Sequence, residues 1–329
     1  MNPEYIKFLR CPKTNNKLII EEPYYENNRI KSGTLVENVS GNKYPIINFI
    51  PRFVPSDNYA NNFGFEWNLH SNTQYDSYSL LGVSKKRFEE ETKWPKNLKG
   101  EVILEVGSGS GRFTTIAAES NALIISIDYS NAVEANYKSN GSKDNVFIIQ
   151  ASVYEMPFEK KTFDRAFCFG VLQHTPNPQN SFFEILKFIK SGGAVASDIY
   201  LWSFTRRYFN IGFYIRPLVR NVKPEKLYAV SKKYIDIMWP LARVLRKIPV
   251  IGWRLNWKLM IADHSTMLPD ADDKTLKEWA YLDTFDFLSP RYDLPETVKS
   301  FRKWHEEAGL KNIEVHKGYN GVEGRGIIP

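Results

Sequence analysis

Three groups of residues have the types and spacing to do chemistry. Residues 105–112 read Glu-Val-Gly-Ser-Gly-Ser-Gly-Arg, which sets Gly107, Gly109 and Gly111 at alternate positions. Asp128 closes the next apolar run, and His174 follows a third. Glycines let a chain turn sharply and approach a ligand with no Cβ in the way. The unpaired N–H groups of a following helix then face that ligand. A carboxylate about 20 residues further on is placed to accept from ribose hydroxyls. Histidine titrates near neutrality and is suited to take a proton.

The elements that must position these groups are legible as patterns. Val102-Ile103-Leu104 reads as a buried strand and Phe113–Ala118 as a helix, so the glycines sit in a strand-to-helix turn. Leu123–Ile127 reads as the next strand, with Asp128 at its end. Residues 100–200 read as five strands alternating with helices, which implies a parallel sheet. Ser84–Lys93 is helical, with Ser84 as its N-cap, and Arg87 on it reads either as a surface residue or as one that reaches the carboxylate of a bound cofactor. Pro295–Gly309 is a further helix that Gly309 stops, followed by strands at Asn312–His316 and Val322–Ile328.

The glycine spacing excludes a dinucleotide fingerprint, because Gly-x-Gly-x-x-Gly would require glycine where Arg112 stands. Gly107, Gly109 and Gly111 with Glu105 before them resemble motif I of the class I S-adenosylmethionine (SAM) methyltransferases. Phe147–Phe158, Phe163–Cys168 with Gly170–His174, and Ile189–Val195 resemble the third, fourth and fifth strand regions of that family. The resemblance covers roughly residues 84–200. It implies an α/β fold with a Rossmann-like, seven-stranded, mostly parallel sheet and helices on both faces. It also implies SAM as cofactor, S-adenosylhomocysteine as product, and cofactor contacts from Glu105, Gly107, Ser108, Gly109, Gly111, Asp128, Tyr129, Ser152, Val153 and Gly170. The glycines suit the methionine part, Asp128 the ribose, and Tyr129 a place beside the adenine. Ser152 stands where the family usually has Asp, and Glu105 suits support of the loop through its N–H groups. Phe63 and Trp67 would lie over the pocket. His174 is the candidate general base for a hydroxyl acceptor. Asp198, Tyr200, His264 beside Asp263, and Arg291-Tyr292-Asp293 are further acceptor-side candidates.

Residues 1–56 form a separate small β-rich unit, ahead of a catalytic domain at 57–329 with an insertion at about 201–291. Cys11-Pro12 and the Tyr44-Pro45-Ile46 ending resemble small zinc-ribbon-like domains. Thr14 replaces the second cysteine, however, and one cysteine cannot hold tetrahedral zinc. We therefore expect a module that packs against the catalytic domain without metal. Cys11 and Cys168 are the two cysteines. With no basic region followed by an apolar run at the start, they suit a reducing cytoplasm.

The chain of 329 residues carries a net charge of +7. Residues 201–258 hold thirteen Lys and Arg against Glu225 and Asp236, so the rest is net acidic. Between Trp239 and Met260 cations alternate with Trp253, Trp257 and aliphatic residues on one amphipathic stretch. Such a surface suits a membrane interface or an anionic glycan or small acceptor. The expected reaction is methyl transfer to oxygen of a small-molecule or glycan/lipid-linked acceptor. The alternatives are an RNA acceptor and a SAM-binding subunit without activity.

Overall fold

The protein is described here from a computed structural model, which covers residues 1–55, 58–204, 208 and 211–329. The expected domain boundary at 56/57 and the basic residues Arg206 and Arg207 lie outside the described residues. The chain opens with a short 3-10 turn, Pro3–Phe8, and four antiparallel strands: β1 (Ile19–Glu26), β2 (Arg29–Val36), β3 (Lys43–Ile47) and β4 (Ile50–Pro51). The β1–β2 hairpin is longer than its apolar residues suggest. Asn27 and Asn28 both take positive φ, the condition for a two-residue turn that matches strand twist.

The second sheet contains β5 (Val102–Val106), β6 (Leu123–Asp128), β7 (Val146–Gln150), β8 (Phe163–Cys168), β9 (Ile189–Ile199), β10 (Lys311–Gly318) and β11 (Gly321–Ile327). Its order is β10-β11-β9-β8-β5-β6-β7. The five central strands are parallel, while β11 and β10 are antiparallel. This is a Rossmann-like, mostly parallel sheet, and its order reverses between β5 and β8. Ligands bind at such a reversal, beyond the C-terminal ends of the strands.

Alternate side chains serve opposite faces. Ile103, Ile124 and Ile148 pack with Phe88 and Phe113. Phe88 belongs to α3 (Val83–Thr92) and Phe113 to α4 (Arg112–Ala118). Leu104, Ile125, Phe147 and Ile149 face the other way, into a core shared with Leu9, Ile30, Leu35 and Phe53 of the N-terminal unit. That unit also extends the sheet: Arg52 bridges Gln150 in parallel, and Phe53 N–H donates to Gln150 O at 2.8 Å. α1 (Asn61–Leu69) and α2 (Asp76–Ser79) precede α3, and α5 (Val133–Asn140) and α6 (Pro178–Leu186) cover the sheet between strands.

Two helix starts differ from expectation. Ser84 lies inside α3, with its hydroxyl donating to Gln74 O. Asp76 instead accepts from the N–H groups of Ser84 and Lys85 at 2.9 and 2.7 Å, capping the helix from eight residues upstream. The C-terminal helix starts at Val298 behind a Thr297/Ser300 capping box.

The insertion after β9 is helical: α7 (Gly212–Val219), α8 (Pro224–Arg246), α9 (Gly252–Lys258) and α10 (Asp273–Leu288), with α11 (Val298–Glu307) following it. The stretch Trp239–Met260 is therefore two helices and not one amphipathic element. Trp239 is buried, and its indole N–H donates to Asp273 at 3.0 Å. Among the described residues no helix is long and apolar enough to cross a membrane, and no group of three or more His, Cys, Asp or Glu could hold a metal. Cys11 and Cys168 are both buried and free.

Candidate functional site

The glycine turn runs from β5 into α4 with Gly107, Gly109 and Gly111 all at positive φ. Gly107 N–H donates to Ile127 O at 2.7 Å, which ties the turn to the end of β6. Each glycine is required by a different neighbour. A Cβ on Gly107 would lie 2.2 Å from Val171, and one on Gly109 would meet the Trp67 indole at 3.2 Å. One on Gly111 would strike the Asn136 amide at 2.2 Å.

Glu105 lies beneath the turn and off the cavity wall. Its carboxylate accepts from the Thr114 and Ser126 hydroxyls and from no loop N–H. Asn136 donates to both hydroxyls, and Asn140 donates to Gly111 O at 3.0 Å. Burial raises the Glu105 carboxyl to about 7 against the pull of those two hydroxyls. Its support of the loop thus runs through α4 and β6.

Asp128 accepts from Gly109 N–H at 2.9 Å and from Ser130 N–H at 2.8 Å. Burial pushes its carboxyl up while these donors hold it down. It lines a cavity of about 1180 Å³ together with Gly107, Ser108, Gly109, Tyr129, Val153 and Gly170. Gly111 and Ser152 are not on that wall. The Ser152 hydroxyl accepts from Tyr154 N–H at 3.2 Å, so it shapes the turn, while its neighbours Ala151 and Val153 line the space. Phe63 and Trp67 of α1 form another wall.

His174 lines the same cavity. Its Nδ1 lies 3.0 Å from Tyr292 O, and a carbonyl only accepts. Nδ1 therefore carries the proton in neutral His174, which leaves the lone pair on Nε2. Phe63 and Tyr200 pack against the ring at 4.9 and 5.4 Å. Tyr200 donates to Asp286 at 3.3 Å.

Residues 104–197 match the profile of a methyltransferase domain family. The chain carries a methyltransferase domain. Similar curated proteins include an uncharacterized chloroplastic methyltransferase of Arabidopsis thaliana, 26% identical over 151 residues, covering 43% of this chain and 42% of that protein. Botryococcene C-methyltransferase of Botryococcus braunii is 28% identical over 44% of this chain and 40% of its own length. Sterol 24-C-methyltransferase of Saccharomyces cerevisiae is 30% identical over 33% of this chain and 30% of its own. The chain thus spans less than half the length of these relatives. A candidate S-adenosyl-L-methionine-dependent methyltransferase from Methanococcus maripaludis is 15% identical, with a TM-score of 0.45 over 84% of this chain and 97% of that one.

Arg87 is a buried residue on the cavity wall and not a surface one. It pairs with Glu91 and Asp198, and Asp198 also accepts from Gly170 N–H at 2.5 Å. Asp198 therefore fixes the loop after β8 and does not face an acceptor. His264 pairs with Asp283 at 2.6 Å and not with its sequence neighbour Asp263, which binds Arg246 and Asn256. Of the Arg291-Tyr292-Asp293 cluster, Tyr292 holds His174 by its carbonyl and Asp293 pairs with Arg216, while Arg291 is exposed. The insertion walls the remaining cavity with Trp253, Arg254, Trp257, Lys258, His264 and Phe287.

Two wall groups escaped the sequence reading. Tyr319 and Asn320, at the β10–β11 turn, reach the cavity from the far end of the chain, which no local pattern announces. Arg112 opens α4, lines the cavity and makes no ion pair among the described residues; burial lowers its guanidinium to about 10, helped by the nearby Arg87 charge. Its signal was visible: a cation at a helix N-terminus opposes the helix dipole and needs another reason to be there.

Proposed function

We propose that the chain transfers the methyl group of SAM to an oxygen of a small-molecule or glycan/lipid-linked acceptor, with His174 taking the acceptor proton. The observation that carries this reading is the shared cavity. The glycine turn and Asp128 line it together with His174 and the insertion. Single-ligand pockets run to roughly 300–1,000 Å³, so 1180 Å³ accommodates a cofactor with an acceptor beside it.

The residues present fit the cofactor. Asp128 offers carboxylate oxygens to ribose hydroxyls. Arg112, unpaired among the described residues, supplies a cation for the amino-acid carboxylate, and the buried Ser108 hydroxyl, which has no partner among those residues, supplies a further polar contact. When bound, SAM would supply an activated sulfonium as the source of the methyl group. The protein then has to orient, exclude water and manage one proton. Trp67, packed on Gly109, and Phe63 exclude water. His174, held by Tyr292 O, presents Nε2 to the acceptor hydroxyl and removes its proton as the O–C bond forms.

The acceptor side combines Trp253, Trp257 and Phe287 with Arg254 and Lys258, which suits an apolar body with an anionic group. Two similar proteins are named for botryococcene and sterol as acceptors, both methylated at carbon, which supports an apolar acceptor body but not the choice of oxygen. Others are named for tRNA, but the apolar wall does not favour RNA here. We keep the division into a small N-terminal module (1–56) and a methyltransferase domain (57–329) as part of this proposal, with the protein in the cytoplasm and touching membrane through its basic insertion.

Calorimetric titration with S-adenosylhomocysteine, followed by methyl transfer to fractionated lipid and glycan extracts, tests the reading. Asp128→Asn should weaken binding by about 1.5–3 kcal/mol. His174→Ala should bind normally and transfer roughly 10²-fold more slowly or worse. Unchanged turnover of His174→Ala would remove the base, and absence of binding by the native protein would end the proposal.

A further inference from the structure

Helix α8 carries two apolar stripes. One is buried against the fold and includes Leu227, Ile235, Trp239 and Ala242. The other consists of Val230, Ile237, Leu241 and Val244, spaced seven, four and three residues apart, which places them on one helix face. Ile248 and Val250 extend it into the turn before α9. These six side chains are 39% to 74% exposed. Single exposed aliphatic residues are ordinary, but an aligned row of them marks an interaction surface.

The charge around the row is one-sided. Lys226, Lys233 and Lys247 lie along it, within a segment holding thirteen Lys and Arg against two acids at 201–258. A second copy of the chain would bring like charge against like charge. RNA would answer the charge but leave the aliphatic row unrewarded. An anionic bilayer answers both, because it takes apolar side chains into the headgroup boundary while attracting lysines.

The row also continues into the cavity wall. The turn at 248–251 leads directly into α9, whose Trp253, Arg254, Trp257 and Lys258 line the space. Neither Arg254 nor Lys258 makes an ion pair among the described residues. We propose that α8 and the turn after it seat the protein on an anionic phospholipid surface, so that an amphiphilic acceptor passes from the bilayer beside α9 into the cavity. The seating deepens the methyltransferase reading, on which the passage of an acceptor rests.

The test uses the full chain in flotation with phosphatidylcholine vesicles and with phosphatidylcholine containing about one-third phosphatidylglycerol. The anionic vesicles should bind at least about tenfold more tightly, and less tightly as salt rises. Ile237→Glu with Val244→Glu should lose at least about tenfold in vesicle binding, and Lys226→Gln with Lys233→Gln and Lys247→Gln should lose as much. Both variants should keep the native melting temperature and S-adenosylhomocysteine affinity, which separates docking from the cofactor site. Failure of the native protein to float with the anionic vesicles, equal binding to both kinds of vesicle, or both variants floating like the native protein would overturn the proposal. So would a native dimer that the Ile237→Glu change dissociates, which would assign the row to a second copy. If the vesicle results hold while S-adenosylhomocysteine fails to bind, the docking surface stands and the methyltransferase reading falls.

Discussion

Arg112 separates two ways of reading a side chain. From the sequence it served to exclude a dinucleotide motif. In the structure it is a cation on the cavity wall without an acidic partner among the described residues. An unpaired charge away from water is costly, so a protein keeps one where a ligand will meet it. Arg112→Ala should weaken S-adenosylhomocysteine binding by about 1.5–3 kcal/mol. It should leave binding of 5′-methylthioadenosine unchanged, because that molecule lacks the amino-acid end. Equal losses for both ligands in a titration would refute the assignment. Glu105, Ser152 and Asp198 teach the converse. Their types and positions suggested contact with small molecules, yet each bonds the protein's own donors and, unlike Asp128, none lies on the cavity wall. Local spacing cannot tell which way a buried carboxylate turns, since that is settled by Thr114, Ser126 and Gly170, residues brought in by other elements.

At the scale of elements, the glycine turn shows why one motif can have separate jobs. Gly107 and Gly109 border the cavity, while Gly111 exists so that α5 can approach α4. Gly111→Ala combines positive φ with a Cβ in contact with Asn136, and should cost about 2 kcal/mol or more in urea denaturation. An unchanged midpoint would show that α5 yields easily. Helix α11 carries a second test. His305 is buried between Phe182 and Phe301, and burial lowers its ring to about 4 from 6.5. The unfolded chain therefore gains this proton at higher pH than the fold does. The contribution is intact above about pH 6.5 and is lost as pH falls toward 4, by about 3 kcal/mol in all. His305→Gln should flatten that part of the stability profile relative to the native protein, measured by urea midpoints at several pH values. The core strands were legible because they are short apolar runs between turn residues. The helix starts were not, because Asp76 caps α3 from a distance that a local capping rule does not inspect.

At the scale of the whole molecule, the parallel order of the sheet followed from strands alternating with helices, and the structure adds how the N-terminal unit joins it. Sequence composition suggested a separate module packed alongside. The contacts show one hydrophobic core running from Leu9, Ile30 and Leu35 through Phe147 and Phe158, with Leu9 bridged to Phe158. Such continuity is invisible in composition, because it depends on partners more than a hundred positions apart. A chain beginning at Asn58 should expose this face of the sheet and should melt at lower temperature or aggregate, as followed by circular dichroism and light scattering. A truncated chain that melts like the native one would show the module to be separable. The shared core also bears on how the protein is made. A ribosome adds roughly 5–20 residues per second, so on the order of ten seconds separates the emergence of Leu9 from that of Phe158. For that interval the first strands have their hairpin but not their floor, and their apolar side faces the cell. Strands made well before β7 and Phe158 are thus among the later parts of the fold that can finish folding.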